Sequence, residues 1–182
     1  MHSPTISHLL YQIDEPSVLV SSTTHSWTLK FSSNRFVTVS CKGKIEHRLV
    51  RQEFDSLRIF DSHPALDRYF VPHTTLYIDS AATSPGSLLQ SFERIIGAVS
   101  SNLRTAGEYM NSYHPELILA QGHGAIFSGP DTYAAEIEHL LSKDGVAVTV
   151  MRTAGSVQHD GKLNLMQLGQ GFVIARQFTW EP

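Results

Sequence analysis

The chain has 182 residues, 41% of them hydrophobic and 17% charged, with a formal net charge of -3; that apolar content suffices for one domain with a continuous core and no staples. The charge excludes the polycationic character on which sequence-independent nucleic-acid binding depends. A single cysteine, Cys41, excludes an internal disulfide and a cysteine-based zinc site.

The opening residues MHSPTISHLLYQIDE lack a positive n-region and a long apolar run, and no later stretch approaches the roughly 18 consecutive apolar residues of a spanning helix. The expectation is a cytoplasmic protein of one α+β domain over residues 1–182, with residues 1–24 partly flexible. From His25 to about Phe60 the pattern is a meander of strands. In HSWTLKFS, Trp27, Leu29 and Phe31 share one face, and in RFVTVSC so do Val37, Val39 and Cys41. Turn-forming Ser32-Ser33-Asn34 and Lys42-Gly43 separate these runs from each other and from KIEHRLV. After SLRIF, the string Asp61-Ser62-His63-Pro64 supplies a cap and a first-turn proline for a short helix ending near Phe70.

The middle of the chain changes period. A strand at HTTLYID is followed by Thr83-Ser84-Pro85, which opens a long helix. Leu88, Phe92, Ile95, Ile96, Val99, Leu103, Ala106 and Met110 recur at steps of three and four, an apolar stripe over about six turns. Arg104 and Glu108 fall on its polar side one turn apart, a surface pair worth a few tenths of a kcal/mol, and Gly97 implies close packing against a strand. ELILA then reads as a buried strand, GHG as a turn or bulge and AIFSG as another strand. A second helix carries Tyr133, Ile137, Leu140 and Leu141 and stops at Asp144-Gly145. VAVTVM follows as a strand. Asp160-Gly161 marks a hairpin between GSVQ and KLNLMQL, and FVIARQFTW closes the chain. The order strand, helix, strand, strand, helix, strand is that of a ferredoxin-like βαββαβ second half behind an N-terminal β-meander, with both main helices on one face of an antiparallel sheet.

Ten histidines suit acid–base chemistry, yet no HxH or HExxH spacing occurs, so no metal site is expected. His73 and Thr75, two apart on a strand, point to one face and could together contact a phosphate. The string Pro72-His73-Thr74-Thr75-Leu76 resembles one half of the HxT pair of the 2H phosphoesterases. That resemblance implies a second histidine from a second lobe, one acting as base and the other as acid around a phosphodiester. The only histidine at the corresponding place is His159, followed by Asp160 and Gly161 rather than the motif. His123, flanked by Gly122 and Gly124, has an accessible ring on either a turn or a bulge. At Ser128 to Thr132 the start of the second helix could bind an anion, although Asp131 as a cap already fills that end. Arg176 alternates with Phe172, Ile174, Phe178 and Trp180 and either snorkels at the sheet rim or binds an anionic ligand; Arg152 could converge on it. No serine elbow, Walker loop or Rossmann fingerprint is present.

Two functions follow. The first is a non-catalytic binding module, such as a regulator, an adaptor or an antitoxin- or immunity-like neutraliser. It would engage a protein partner or a small ligand, with no cofactor, nucleic acid or membrane, and a homodimer is compatible with it. The second is a small hydrolase or lyase whose site gathers His73, His123 and His159 as acid–base groups and Thr75, Arg152 and Arg176 as ligand contacts.

Overall fold

The computed structural model describes residues 8–49, 51–110, 114–153 and 161–181. The chain is α+β and forms two compact units: Met1–Leu66 with Asp160–Pro182, and Asp67–His159.

The first unit is an eight-stranded antiparallel sheet. Its strands are β1 (His8–Ile13), β2 (Ser17–Ser22), β3 (Ser26–Phe31), β4 (Phe36–Arg48), β5 (Glu53–Phe54), β6 (Leu57–Ser62), β10 (Asn164–Leu168) and β11 (Gly171–Glu181), in the order β1-β6-β10-β11-β4-β3-β2-β5. Connectivity dictates its curvature. Strands β1 and β2 lie six places apart in that order, roughly 29 Å across a flat sheet at about 4.8 Å per strand. They are joined only by Asp14, Glu15 and Pro16, a link that reaches at most about 14 Å. Strands β5 and β6, also six places apart, are joined by Asp55 and Ser56 alone. The sheet therefore rolls until its two ends approach. One inner face then becomes a single core, to which Ile13, Trp27, Leu29, Phe31, Val39, Phe54, Ile59, Met166 and Val173 all contribute. Tyr11 on β1 stacks on Trp180 of β11 with ring centroids 4.5 Å apart, although two strands separate β1 from β11.

The alternation expected for HSWTLKFS is observed: Trp27, Leu29 and Phe31 are buried and Lys30 is exposed. Lys42-Gly43 is not a turn. β4 runs through it, with Gly43 at φ 64° and a register shift opposite Ile174/Ala175, so one bulged strand replaces two separate ones. Cys41 is buried as expected, and burial pushes its thiol up from the ordinary value. Strands β1 and β2 occupy most of the described part of the segment expected to be partly flexible. His63 closes the unit's helical turn at Pro64–Leu66, its buried Nδ1 accepting the Ala65 N–H at 3.1 Å.

The second unit has strands β7 (His73–Ile78), β8 (Gly124–Pro130) and β9 (Val148–Arg152), ordered β8-β7-β9 and antiparallel throughout. Its helices are α1 (Asp67–Phe70), α2 (Pro85–Val99), α3 (Pro115–Gln121) and α4 (Asp131–Lys143). Thr74, Leu76 and Ile78 of β7 point to one side. Leu76 and Ile78 share a core with Leu88, Phe92 and Ile96 of α2 and with Tyr133, Ile137 and Leu141 of α4, so both main helices cover the same face.

The ferredoxin-like βαββαβ arrangement is not confirmed. ELILA forms α3, opened by Pro115 at its first turn and closed by Gly122 in the left-handed region at φ 77°. A Cβ at Gly122 would meet the Ala81 backbone nitrogen at 2.2 Å, which requires glycine there. β10 and β11 pair within the first unit's sheet. The expected GSVQ strand and the Asp160 half of its turn lie outside the described residues.

The long helix also ends early. α2 stops at Val99 because Ser101 and Asn102 enter the left-handed region at φ 56° and 62°, where Asn102 N–H bonds the Gly97 carbonyl at 2.7 Å. Gly97 packs against the Asn102 side chain rather than a strand; a Cβ there would lie 2.8 Å from Asn102 Oδ1. Beyond the turn, Leu103 and Ala106 are again buried, which is why the apolar stripe continues in the sequence after the helix has stopped.

That turn carries Arg104 inward. Its side chain is 0% exposed, and its Nη1 donates to Glu108 Oε2 at 3.0 Å, with Arg68 Nη1 3.6 Å from the same oxygen. Glu108 also caps the helical turn at Ala106–Glu108, accepting the Thr105 N–H at 3.0 Å. The expected surface pair is thus a buried one, and truncating the cation leaves a carboxylate without its main partner. Arg104→Ala is expected to cost about 3 kcal/mol or more in urea unfolding at unchanged slope. A loss under about 1 kcal/mol, the value of an exposed pair, would show that the arginine is not structurally internal.

Candidate functional site

The residues singled out by the sequence do not converge. His73 and His123 stand at opposite ends of the β7–β8 ladder, since His73 pairs with Pro130 and Ile78 with Gly124. Five strand steps of about 3.4 Å separate those ends by roughly 17 Å. Both are engaged locally. His73 Nε2–H donates to the Arg68 carbonyl at 3.1 Å, tying β7 to α1, while His123 is exposed beside Gly122 with Nδ1 3.4 Å from the Gln121 carbonyl. Thr75 shares the half-buried face of His73 as expected, but its hydroxyl pairs with Ser128 Oγ at 3.1 Å. Arg152 is exposed at the end of β9, opposite Thr74. Arg176 belongs to the first unit, where it is exposed; its stem covers Gly43, at which a Cβ would lie 3.0 Å from Arg176 Cδ. Its carbonyl accepts from the buried Asn164 Nδ2 at 2.8 Å. His159 lies outside the described residues. Among the described residues no group of three or more His, Cys, Asp or Glu is placed to hold a metal.

A polar cluster does exist in the second unit, around the N-terminus of α4. Asp131 is not a side-chain cap; it accepts the Thr74 hydroxyl, and its N–H bonds the Pro72 carbonyl at 2.9 Å. Thr132 Oγ1 donates to Asp67 Oδ2 at 2.9 Å. Tyr133 is buried, its ring edge-on to Tyr109 with centroids 5.3 Å apart. Burial, with Tyr109 and Asp67 nearby, holds the Tyr133 hydroxyl far above the ordinary tyrosine range. The Thr74–Asp131 and Thr132–Asp67 pairs tie β7 and α1 to the start of α4.

Three clefts on the first unit, of about 570, 150 and 590 Å³, share Arg51. In the 150 and 590 Å³ clefts Arg51 stands with Glu53 and Asp55, so charges of both signs meet. The 570 Å³ cleft is lined by Leu19, Ser22, Thr23, Trp27, His47, Arg48, Leu49, Arg51 and Gln52, and none of these carries a carboxylate. No protein-family model, curated protein or solved structure matches this chain.

A β-bulge builds this cleft. Leu19 pairs with Leu29 and Ser21 with Thr28, which leaves Val20 as the extra residue. The extra residue reverses the alternation, so Leu19 and Ser22, three apart, both stand on the inner side with Trp27, the partner of Ser22. The floor is the core itself: Trp27 belongs to it, and the half-buried Leu19 and Leu49 pack against it. The opposing wall comes from the end of β4 and the following turn, held to β2 by the Leu19 N–H to Gln52 carbonyl bond of 2.7 Å. His47 stands opposite the core residue Val173, and Arg48 spreads its guanidinium over the Phe172 ring, 5.3 Å from its centroid. None of this follows from hydrophobic period. The one local signal is the string His47-Arg48-Leu49-Val50-Arg51-Gln52, three basic residues in six with no acid.

In the polar cluster, the Asp67 carboxyl is held above the ordinary value chiefly by burial, against the lowering bond from Thr132. A carboxyl whose folded pKa lies above its unfolded value of about 3.9 costs stability as pH rises from that value through the folded one. Asp67→Asn keeps the Thr132 acceptor and removes that cost. Its melting temperature relative to the parent is expected to rise between pH 3.5 and pH 7; a fall over the same range would contradict the assigned direction.

Proposed function

We propose that this chain is a non-catalytic binding protein whose site is the Trp27 cleft of the first unit, and that it takes a small molecule rather than a macromolecule. The observation that carries the reading is the cleft's construction. A concavity of about 570 Å³ lies in the range of small-molecule sites, which combine an apolar floor with a few polar groups at the margin. Trp27, Leu19 and Leu49 supply that floor, and Ser22, Gln52, His47 and Arg51 supply the margin. Leu19, Ser22, Trp27 and His47 stand on paired strands, and the segment with Gln52 is tied to β2 by the Leu19 N–H to Gln52 carbonyl bond, an anchoring that spares a ligand part of the cost of ordering the site.

The alternative of a small hydrolase or lyase draws on acid–base groups that meet in one pocket. His73 and His123 stand at opposite ends of one ladder, and neither lines any of the three clefts. The margin of Ser22, Gln52, His47 and Arg51 offers orientation, hydrogen bonding and positive charge, which is what a carrier, sensor or regulator asks of a ligand site.

Native mass spectrometry of the gently purified full chain tests this. The expected spectrum contains a 1:1 small-molecule adduct that Ser22→Trp abolishes by filling the cleft from its exposed rim, with the melting temperature unchanged. An adduct that survives Ser22→Trp would move the site elsewhere, and conversion of the bound molecule by the protein would overturn the non-catalytic reading.

A further inference from the structure

The charge around the Trp27 cleft specifies its ligand further. Lining side chains that are basic, with no acidic counterpart among them, leave a site that attracts anions whatever its shape. Arg51 and His47 are exposed at the margin, and Arg48 is half-buried behind them. Arg48 is the less adjustable of the two arginines because its guanidinium already covers the Phe172 ring. Arg51 is exposed, and its fork is free to turn toward a carboxylate or phosphate, which it can hold by two parallel N–H bonds. Ser22, exposed and lining the same cleft, adds a hydroxyl donor. Thr23 contributes less, since its hydroxyl already accepts the Ser26 N–H at 3.0 Å and pairs with Ser26 Oγ at 2.8 Å.

The floor of the cleft is apolar. The half-buried Leu19 and Leu49 pack against the core over Trp27, whose indole is only 2% exposed. A bare inorganic anion would leave the open surface of the two leucines in water, whereas a ring or short alkyl body would cover it. The two neighbouring clefts are lined by the Glu53 and Asp55 carboxylates as well as by basic side chains, and this one is not.

We infer that the Trp27 cleft binds a small amphipathic anion, its carboxylate or phosphate at Arg51 and its apolar body over Leu19 and Leu49. This rests on the binding-protein reading above and narrows it to one chemical class.

Three probes separate the possibilities: phenylacetate, its neutral counterpart phenylacetamide, and phenyl phosphate. Each is titrated into the full chain at low salt while the Trp27 indole and the amides of residues 19–27 and 47–52 are followed by NMR. The expected result is that at least one anion binds about tenfold tighter than phenylacetamide, the value of one charge-assisted hydrogen bond. Which anion is preferred distinguishes a carboxylate from a phosphate ligand. Arg51→Gln removes the preference and Arg51→Lys retains part of it, and both fold normally because the side chain is exposed. Equal binding of all three probes at the cleft, or a preference that survives Arg51→Gln, overturns the anion assignment and leaves the binding reading standing. Absence of any perturbation at the cleft by all three overturns both.

Discussion

Three residues between β1 and β2, and two between β5 and β6, constrain everything else in the first unit. Strands that neighbour one another in the chain are six places apart in the sheet, and links this short span that interval only if the sheet closes toward itself. Rolling turns one face of eight strands inward, which is how about ninety residues bury a continuous apolar core without a helix layer over it. Within that sheet β4, β3 and β2 are successive strands, and the pairing of β5 with β2 returns the chain after β4 to β2. The candidate site forms there, with its floor from β2 and β3 and its basic wall from the end of β4.

In the second unit Arg104 is fully internal and is matched by Glu108, while Thr74 with Asp131 and Thr132 with Asp67 form separate hydroxyl–carboxyl pairs. These pairs tie the short elements around α4 to one another. In the first unit, Arg51 remains at the rim of an apolar hollow with no carboxylate among the lining residues. A charge that desolvation has not forced into partnership is available for recognition, and its energy appears only when a ligand excludes water from the cleft.

Regular segments were legible in the sequence, and irregular ones were not. Alternation identified β3 and the first half of β4, and the helical spacing of Tyr133, Ile137, Leu140 and Leu141 identified α4 with its stop at Asp144-Gly145. The failures share one cause. At Lys42-Gly43 and at Ser101-Asn102 the chain turns or bulges in the left-handed region while the apolar pattern runs on, so periodicity joins or divides elements wrongly. ELILA is short and continuously apolar, a pattern that fits a buried strand and a helix equally, and only Pro115 and Gly122 at its ends distinguish them. The cleft was hidden for the same reason. The Val20 bulge decides that Leu19 and Ser22 face the same way, and a long-range bond from the Leu19 N–H to the Gln52 carbonyl brings the opposing wall to them. The histidines drew attention as residue types, yet the β7–β8 ladder holds His73 and His123 a strand length apart.

The central claim is that ligand recognition belongs to the hollow made by the rolled sheet. Its most direct test is a structure of the chain with the small molecule that co-purifies with it. The account expects density for that molecule over Trp27, with its anionic group within hydrogen-bonding distance of Arg51 and the β2 bulge unchanged. Density beside His73 or His123, with the Trp27 cleft holding only solvent, would contradict it.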